Sequence, residues 1–303
     1  MGRSRKKANV ASTREEIAEV CVELQRIQRQ RVIVMKSAQM QKSRIQAIVA
    51  GTLGYSNAAP EAERAKKFDE AATLIKSVIN DGASHGNMTD IIKTTYIGIK
   101  ALEDLQDEIE KSALTQVKVL PVKDWVEAED QRGFGLKMLA VLIGETGDLF
   151  NYPSPRRVYS RMGCQPYSFG DQTLMGASWR SKQYGSLPSS EWEQFGYSPR
   201  RRSVAYLVGE GLMKLNFKTN KETGQYSWCG PYRRRYDEAK ELAWKNHQDW
   251  RWFEHKPCGG KGCDACDHRG ATCARAHLHG MLLATKRLFK NLWRVWNGQP
   301  PEH

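Results

Sequence analysis

Four cysteines, Cys258, Cys263, Cys266 and Cys273, lie close together and are interleaved with Gly259, Gly260, Gly262 and Gly270. Their x4, x2 and x6 spacing supplies the tight turns of a small tetrahedral site, and zinc is the ion that thiolates most often hold in this way. His255 or His268 can replace one cysteine, because a Cys3His set is equally acceptable. Four protein ligands close the coordination sphere, so the expected Zn2+ is structural. The competing reading, four reduced surface thiols, is unattractive in a glycine-rich loop open to oxidation. Cys21, Cys164 and Cys229 are scattered, a pattern that favours a metal site in a reducing cytoplasm over a disulfide framework.

Positive charge is the second chemical signal. The 303 residues carry 47 Lys plus Arg against 34 Asp plus Glu, a formal charge of +13. A surplus of that size points to a polyanion, nucleic acid first. The basic residues are grouped: Arg156, Arg157 and Arg161; Arg200, Arg201 and Arg202; Arg233, Arg234 and Arg235; then Lys286, Lys290 and Arg294 at i, i+4 and i+8. Each run alone is more often a solvated face, but four helices sharing one face could track a phosphate backbone. Trp244, Trp250, Trp252 and Phe253 could stack on unpaired bases, with core packing as the alternative.

Several classes are excluded. With 40% hydrophobic residues and nine Trp, wholesale disorder is not expected. The longest uncharged apolar run, Leu139 to Ile143, is far too short to span a bilayer, and no membrane partner is expected. The basic start, Met1 to Lys7, runs into Ala-Asn-Val-Ala-Ser-Thr-Arg-Glu-Glu rather than an apolar h-region. The expected location is therefore cytoplasmic, and nucleoid-associated when DNA is bound.

These groups need elements to hold them. Thr13-Arg-Glu-Glu16 is a capping box that opens a long amphipathic helix. Ile17, Val20, Leu24, Ile27, Arg31, Val34, Ala38, Gln41, Ile45 and Ile48 follow a heptad-like register with Arg31 and Gln41 as polar exceptions. Gly51 to Pro60 is a break, and Pro60 is expected as the first residue of a second helix with stripe Phe68, Ala72, Ile75 and Ile79. Thr89 is expected to cap a third helix with stripe Ile92, Tyr96, Ile99, Leu102, Ile109 and Ala113. The arm is either a homo-oligomerising coiled coil or a bundle packing on its own chain. Beyond Pro121, shorter helices are expected, including a basic one from Ser198 to about Leu215, one from Pro231 to about Asp249 and a last from about Ala274 to Trp296. No convincing run of β-strands is read anywhere.

Asp130 to Asp148 carries Gly133 and Gly135 between two helical stretches, a helix-hairpin-helix pattern in which the backbone at Gly133 and Gly135 could approach a DNA phosphate. An ordinary helix-turn-helix with a glycine C-cap is the alternative. The following stretch, Gly147-Asp148-Leu-Phe-Asn-Tyr-Pro-Ser-Pro-Arg-Arg-Val-Tyr-Ser-Arg-Met-Gly163-Cys-Gln-Pro166, resembles a segment of one family of bacterial insertion-sequence transposases, relatives of Piv-type DNA invertases. Ser198-Pro-Arg-Arg-Arg-Ser-Val-Ala-Tyr-Leu207, Tyr232 to Ala239 and Ala276 to Trp296 resemble later family segments in the same order.

Members of that family join a RuvC-like DEDD nuclease domain, through a coiled coil, to a helix-hairpin-helix transposase domain. The resemblance implies DNA strand transfer through a serine that forms a phosphoseryl link, in a dimer or tetramer, with a structured guide RNA in some members. Two departures stand out. No RuvC-like strands with four acidic ligands are read here, so the metals would come from a separate RuvC-like nuclease partner. The family's serine loop also has no clean copy: Ser178, Ser181, Ser189 and Ser190 occupy the right interval and remain alternatives, Ser178 being favoured by Arg180 and Lys182 nearby.

The expected fold is mainly α: a basic disordered tail at 1–12, a coiled-coil or helical arm at 13–118, and a helix-hairpin-helix transposase-like DNA-binding domain at 119–298, with a zinc insertion at about 250–273. The expected function is DNA binding in transposition or site-specific recombination, enzymatic only if a serine and a nuclease partner are supplied. A non-enzymatic zinc-containing DNA-binding accessory protein is the alternative, followed by a coiled-coil scaffold contacting RNA or protein.

Overall fold

A computed structural model describes residues 13–165, 167–169, 172–174, 197–246 and 271–302. The described chain is mainly helical. Its helices are α1 (Arg14–Thr52), α2 (Glu61–Asn80), α3 (Asn87–Val117), α4 (Lys123–Glu127), α5 (Leu136–Thr146), α6 (Pro155–Arg161), α7 (Pro199–Leu215), α8 (Pro231–Asn246) and α9 (Ala271–Trp296). Two short antiparallel hairpins, β1 (Tyr167–Phe169) with β2 (Gln172–Leu174) and β3 (Phe217–Thr219) with β4 (Tyr226–Cys229), are the strands present among the described residues. They fall where turns and loops are read from the sequence. No described helix is long and apolar enough to cross a membrane.

The chain divides into two compact units, one of residues 26–113 and one of residues 1–25 with 114–303. In the first, Ile45, Val49, Ala50, Ala71, Val78, Ile92 and Ile99 form the core, flanked by Leu74, Ile75 and Tyr96. Arg31 meets Glu110 at 2.8 Å and Lys42 meets Glu103 at 2.6 Å, so the first polar exception of the α1 register has a partner within its own chain. Of the remaining seam residues, Ile17, Leu24, Ile27, Ala38 and Ile45 are buried, Val20 and Val34 are half-buried, and Gln41 and Ile48 are exposed. Cys21, Gln28, Val32 and Val49 are buried as well, so the buried face is wider than the strict seam and moves by one residue at Val20 and Ile48. A straight α-helix drifts against a strict seven-residue repeat when it packs inside a bundle.

Local signals act as their chemistry predicts. The Glu16 amide donates to Thr13 Oγ1 and the Thr13 amide to Glu16 Oε2, each at 3.1 Å, which is the reciprocal capping box. Pro60 stands one residue before α2. Thr89 lies inside α3, its hydroxyl accepting the His85 amide at 2.7 Å rather than capping the helix start.

In the second unit α7, α8 and α9 pack around Leu212, Tyr232, Ala284, Leu288 and Leu292, and α5 adds Leu139, Leu142 and Ile143. Asn216 ties the turn after α7 to its neighbours. Its Nδ2 donates to the Asp130 and Arg132 carbonyls at 2.9 Å each, and its Oδ1 accepts the amides of Tyr232 and Arg233 at 3.2 Å each. A wholly buried amide is stable there because every polar atom finds a partner. Asp148 joins the chain's distant parts in a similar way, accepting from the Phe150 amide at 2.9 Å and from Trp296 Nε1 at 3.1 Å.

Candidate nucleic-acid interface

Three short sequence signals bring the basic residues together. Ser154 and Pro155 start α6, which leaves Arg156 and Arg157 exposed on its first turn and Arg161 half-buried on its last. Ser198 caps α7 by accepting the Arg201 amide at 3.5 Å, and Pro199 takes the first helical position. Arg200, Arg201 and Arg202 therefore occupy a helix start with no acidic residue in the first turn. Gly163 lets the two helices meet. Its φ of +69° is left-handed, and a Cβ there would stand 3.1 Å from Arg202 Cβ and 3.2 Å from a Tyr197 ring carbon.

One cluster forms from α6, α7 and α9. Arg202 Nη1 donates to the buried Cys164 Sγ at 3.5 Å, and Lys286 Nζ lies 5.9 Å from the Tyr159 ring centroid. Partial burial lowers the Lys286 pKa, and the charges of Arg202 and Arg156 lower it further against an opposing effect of Cys164. Burial pushes the Cys164 thiol up even beside Arg202 and Lys286, so it is a poor nucleophile. Tyr159 is pushed up to about 12, by burial first and the Glu302 charge second. Arg156 reaches the Gln165 side chain at 3.4 Å. Arg156, Arg202 and Lys286 thus come within electrostatic reach of one another from three separate helices.

A second cluster surrounds Glu145, whose carboxylate is fully buried. Arg200 donates to Glu145 Oε2 through Nη2 at 2.8 Å and Nε at 3.2 Å, and Arg201 Nε stands 3.7 Å from the same oxygen. Desolvation, then the charge of Arg161, lowers the pKa of Arg201. Sequence reasoning gave Glu145 no role. The available signal was its position three residues beyond Leu142 on the buried face of α5, where a carboxylate must have a cationic partner.

Other basic residues singled out in the sequence have structural partners. Arg233 pairs with Asp237 at 3.1 Å, donates to the Met213 carbonyl at 3.2 Å, and lies over Phe217, Tyr226 and Tyr236 at 4.6, 5.4 and 5.1 Å. Lys290 and Arg294 both bind Glu302, at 2.6 and 3.3 Å. Arg234 is exposed and lines a depression with Arg235 and Arg287. The four basic groups are therefore unequal: Arg156 and Arg202 come near Lys286, whereas Arg233 pairs with Asp237, and Lys290, Arg294 and Arg287 share Glu302.

The two hairpin glycines also differ. Gly133 has φ +98° and sits against the backbone of Gly211 on α7, so helix packing accounts for its lack of a side chain. Gly135 precedes the first residue of α5, is exposed, and has no atom within 4 Å of where a Cβ would be.

Ser178, Ser181, Ser189 and Ser190 lie outside the described residues, as do His255, Cys258, Cys263, Cys266, His268, Trp250, Trp252 and Phe253. Cys273 falls in the first turn of α9, and Trp244 falls in α8. Among the described residues no group of three or more His, Cys, Asp or Glu side chains is placed to hold a metal. No protein-family model matches the chain, and neither a curated protein nor a solved structure is significantly similar to it.

Proposed function

We propose that the chain binds nucleic acid, DNA foremost, and serves transposition or site-specific recombination as a relative of the transposase family that its sequence resembles. The observation that carries this reading is the convergence of Arg156, Arg202 and Lys286 from α6, α7 and α9, beside Arg161, Arg200 and Arg201. Like charges brought together on three helices oppose folding, so a site of this kind is explained by an anionic partner. Phosphate contacts would supply affinity, and the exposed amides at Gly135 would add a backbone contact of the helix-hairpin-helix type.

In this reading Cys258, Cys263, Cys266 and Cys273, with His255 or His268 as substitute, hold a structural Zn2+ that pins the insertion between α8 and α9. Strand transfer would need one of Ser178, Ser181, Ser189 or Ser190 as nucleophile and a separate RuvC-like nuclease to supply metals. A structured RNA and self-association through the N-terminal arm belong to the same proposal. A non-enzymatic zinc-containing DNA-binding accessory protein is the second reading.

Sequencing the nucleic acid retained through purification at moderate salt, with and without prior ribonuclease or deoxyribonuclease, tests the proposal. One defined RNA or DNA junction supports a recombinase. A heterogeneous mixture lost at higher salt supports the accessory reading, and no retained nucleic acid argues against both.

A further inference from the structure

The Glu145 cluster carries more positive charge than its own structure uses. Arg200 and Arg201 meet one carboxylate, the charge of Arg161 bears on Arg201, and the Nε atoms of Arg161 and Arg201 are buried with no hydrogen-bond partner. The charge of Arg161 also bears on Tyr152, whose hydroxyl donates to the Thr146 carbonyl at 2.7 Å. The Arg200 and Arg201 side chains remain 46% and 20% exposed, so the cluster opens to solvent while Glu145 lies behind it. Among the described residues three guanidiniums share this region with one carboxylate, an excess of positive charge in a partly desolvated place that is unfavourable until an anion arrives. The start of α7 adds the positive end of a helix dipole.

We propose that Arg161, Arg200 and Arg201 form a seat for a single phosphate oxyanion, with buried Glu145 as the residue that positions them. Guanidinium forks match the paired oxygens of a phosphate, and holding the Nε and Nη2 edge of Arg200 on Glu145 leaves its remaining N–H groups to face the ligand. The inference rests on the nucleic-acid reading, in which the oxyanion is a backbone phosphodiester. A free phosphate has the same chemistry, and the experiment separates the two sources.

The full chain, wild type and carrying Arg201→Ala, Arg161→Ala or Glu145→Gln, is titrated with a mixed-sequence DNA duplex over a range of salt. Its melting temperature is also followed in inorganic phosphate against sodium chloride of equal ionic strength. Circular dichroism reports which variants fold, and the two arginine variants serve as alternates to each other. Each arginine variant is expected to lower the slope of log K against log salt by about one contact. Phosphate should raise the wild-type melting temperature, raise it less in the arginine variants, and raise it more in Glu145→Gln. Unchanged slopes together with no phosphate-specific rise would overturn the seat while leaving wild-type DNA binding, and hence the broader reading, intact. A wild type that binds no DNA yet shows a phosphate-specific rise lost in Arg201→Ala would keep the seat as a free-phosphate site and overturn the nucleic-acid reading.

Discussion

The buried carboxylate of Glu145 accepts two hydrogen bonds from the half-exposed guanidinium of Arg200, at 2.8 and 3.2 Å, which joins α5 to the start of α7. Replacing Glu145 with Gln keeps the shape and removes the carboxylate that Arg200 and Arg201 meet. Breaking a buried pair strands the remaining charge, but Arg200 can turn to water, so the cost should be about 2 kcal/mol. Urea unfolding should show a lower midpoint with an unchanged slope.

Gly133 and Gly135 should separate under the same substitution. Alanine at Gly133 meets the Gly211 backbone and a φ of +98°, and should cost about 3 kcal/mol through strain and overpacking. Alanine at Gly135 meets open space, and stability should change by less than about 0.5 kcal/mol. Weaker DNA binding by Gly135→Ala, with unchanged unfolding, would mark a backbone contact at the start of α5.

Asn216 satisfies two carbonyls before α5 and two amides at the start of α8, two segments distant in the chain. Leucine at this position fills similar volume and leaves all four without their partner. A loss of about 3 kcal/mol or more is expected in chemical denaturation.

The fold was legible where one local rule governed the outcome. Thr13 and Glu16 announce the capping box, Ser198 and Pro199 announce α7, and both form as read. The α1 seam was harder to read, because a heptad template selects Val20 and Ile48 where the packed bundle buries Cys21 and Val49. Periodicity alone also could not reveal that Arg31 answers Glu110, a partner on another helix. The grouping of Arg156, Arg161, Arg200, Arg201, Arg202 and Lys286 was visible as composition. Their division into two clusters, and the role of Glu145, depend on the meeting of α5, α6, α7 and α9. The capture of Arg233 by Asp237 and three aromatic rings was likewise a matter of tertiary packing.

His277 provides a pH dependence. Its Nδ1 lies 2.9 Å from the Tyr236 hydroxyl, and its pKa is lowered by partial burial first and by the charges of Lys240 and Arg233 next, with Glu210 opposing them. In the unfolded chain the imidazole has the ordinary value near 6.5, so below that pH the unfolded state binds more protons. Its contribution to stability is present above about 6.5 and is lost as the pH falls through the lower folded value. His277→Gln should flatten that part of the stability profile when unfolding is measured from pH 5 to pH 8.

Metal analysis of purified protein should find one zinc per chain. Serine at both Cys263 and Cys266 should reduce it to a trace, because two of four ligands are removed. Full zinc retained by that variant would contradict the tetrahedral assignment.

The central claim concerns a phosphate-binding face, and salt dependence tests it most directly. Affinity for a mixed-sequence DNA duplex should fall linearly on logarithmic axes as salt rises. Neutralising Arg156, Arg202 and Lys286 together should weaken binding and reduce that slope by about three contacts. A folded triple variant with wild-type affinity and slope would contradict the account.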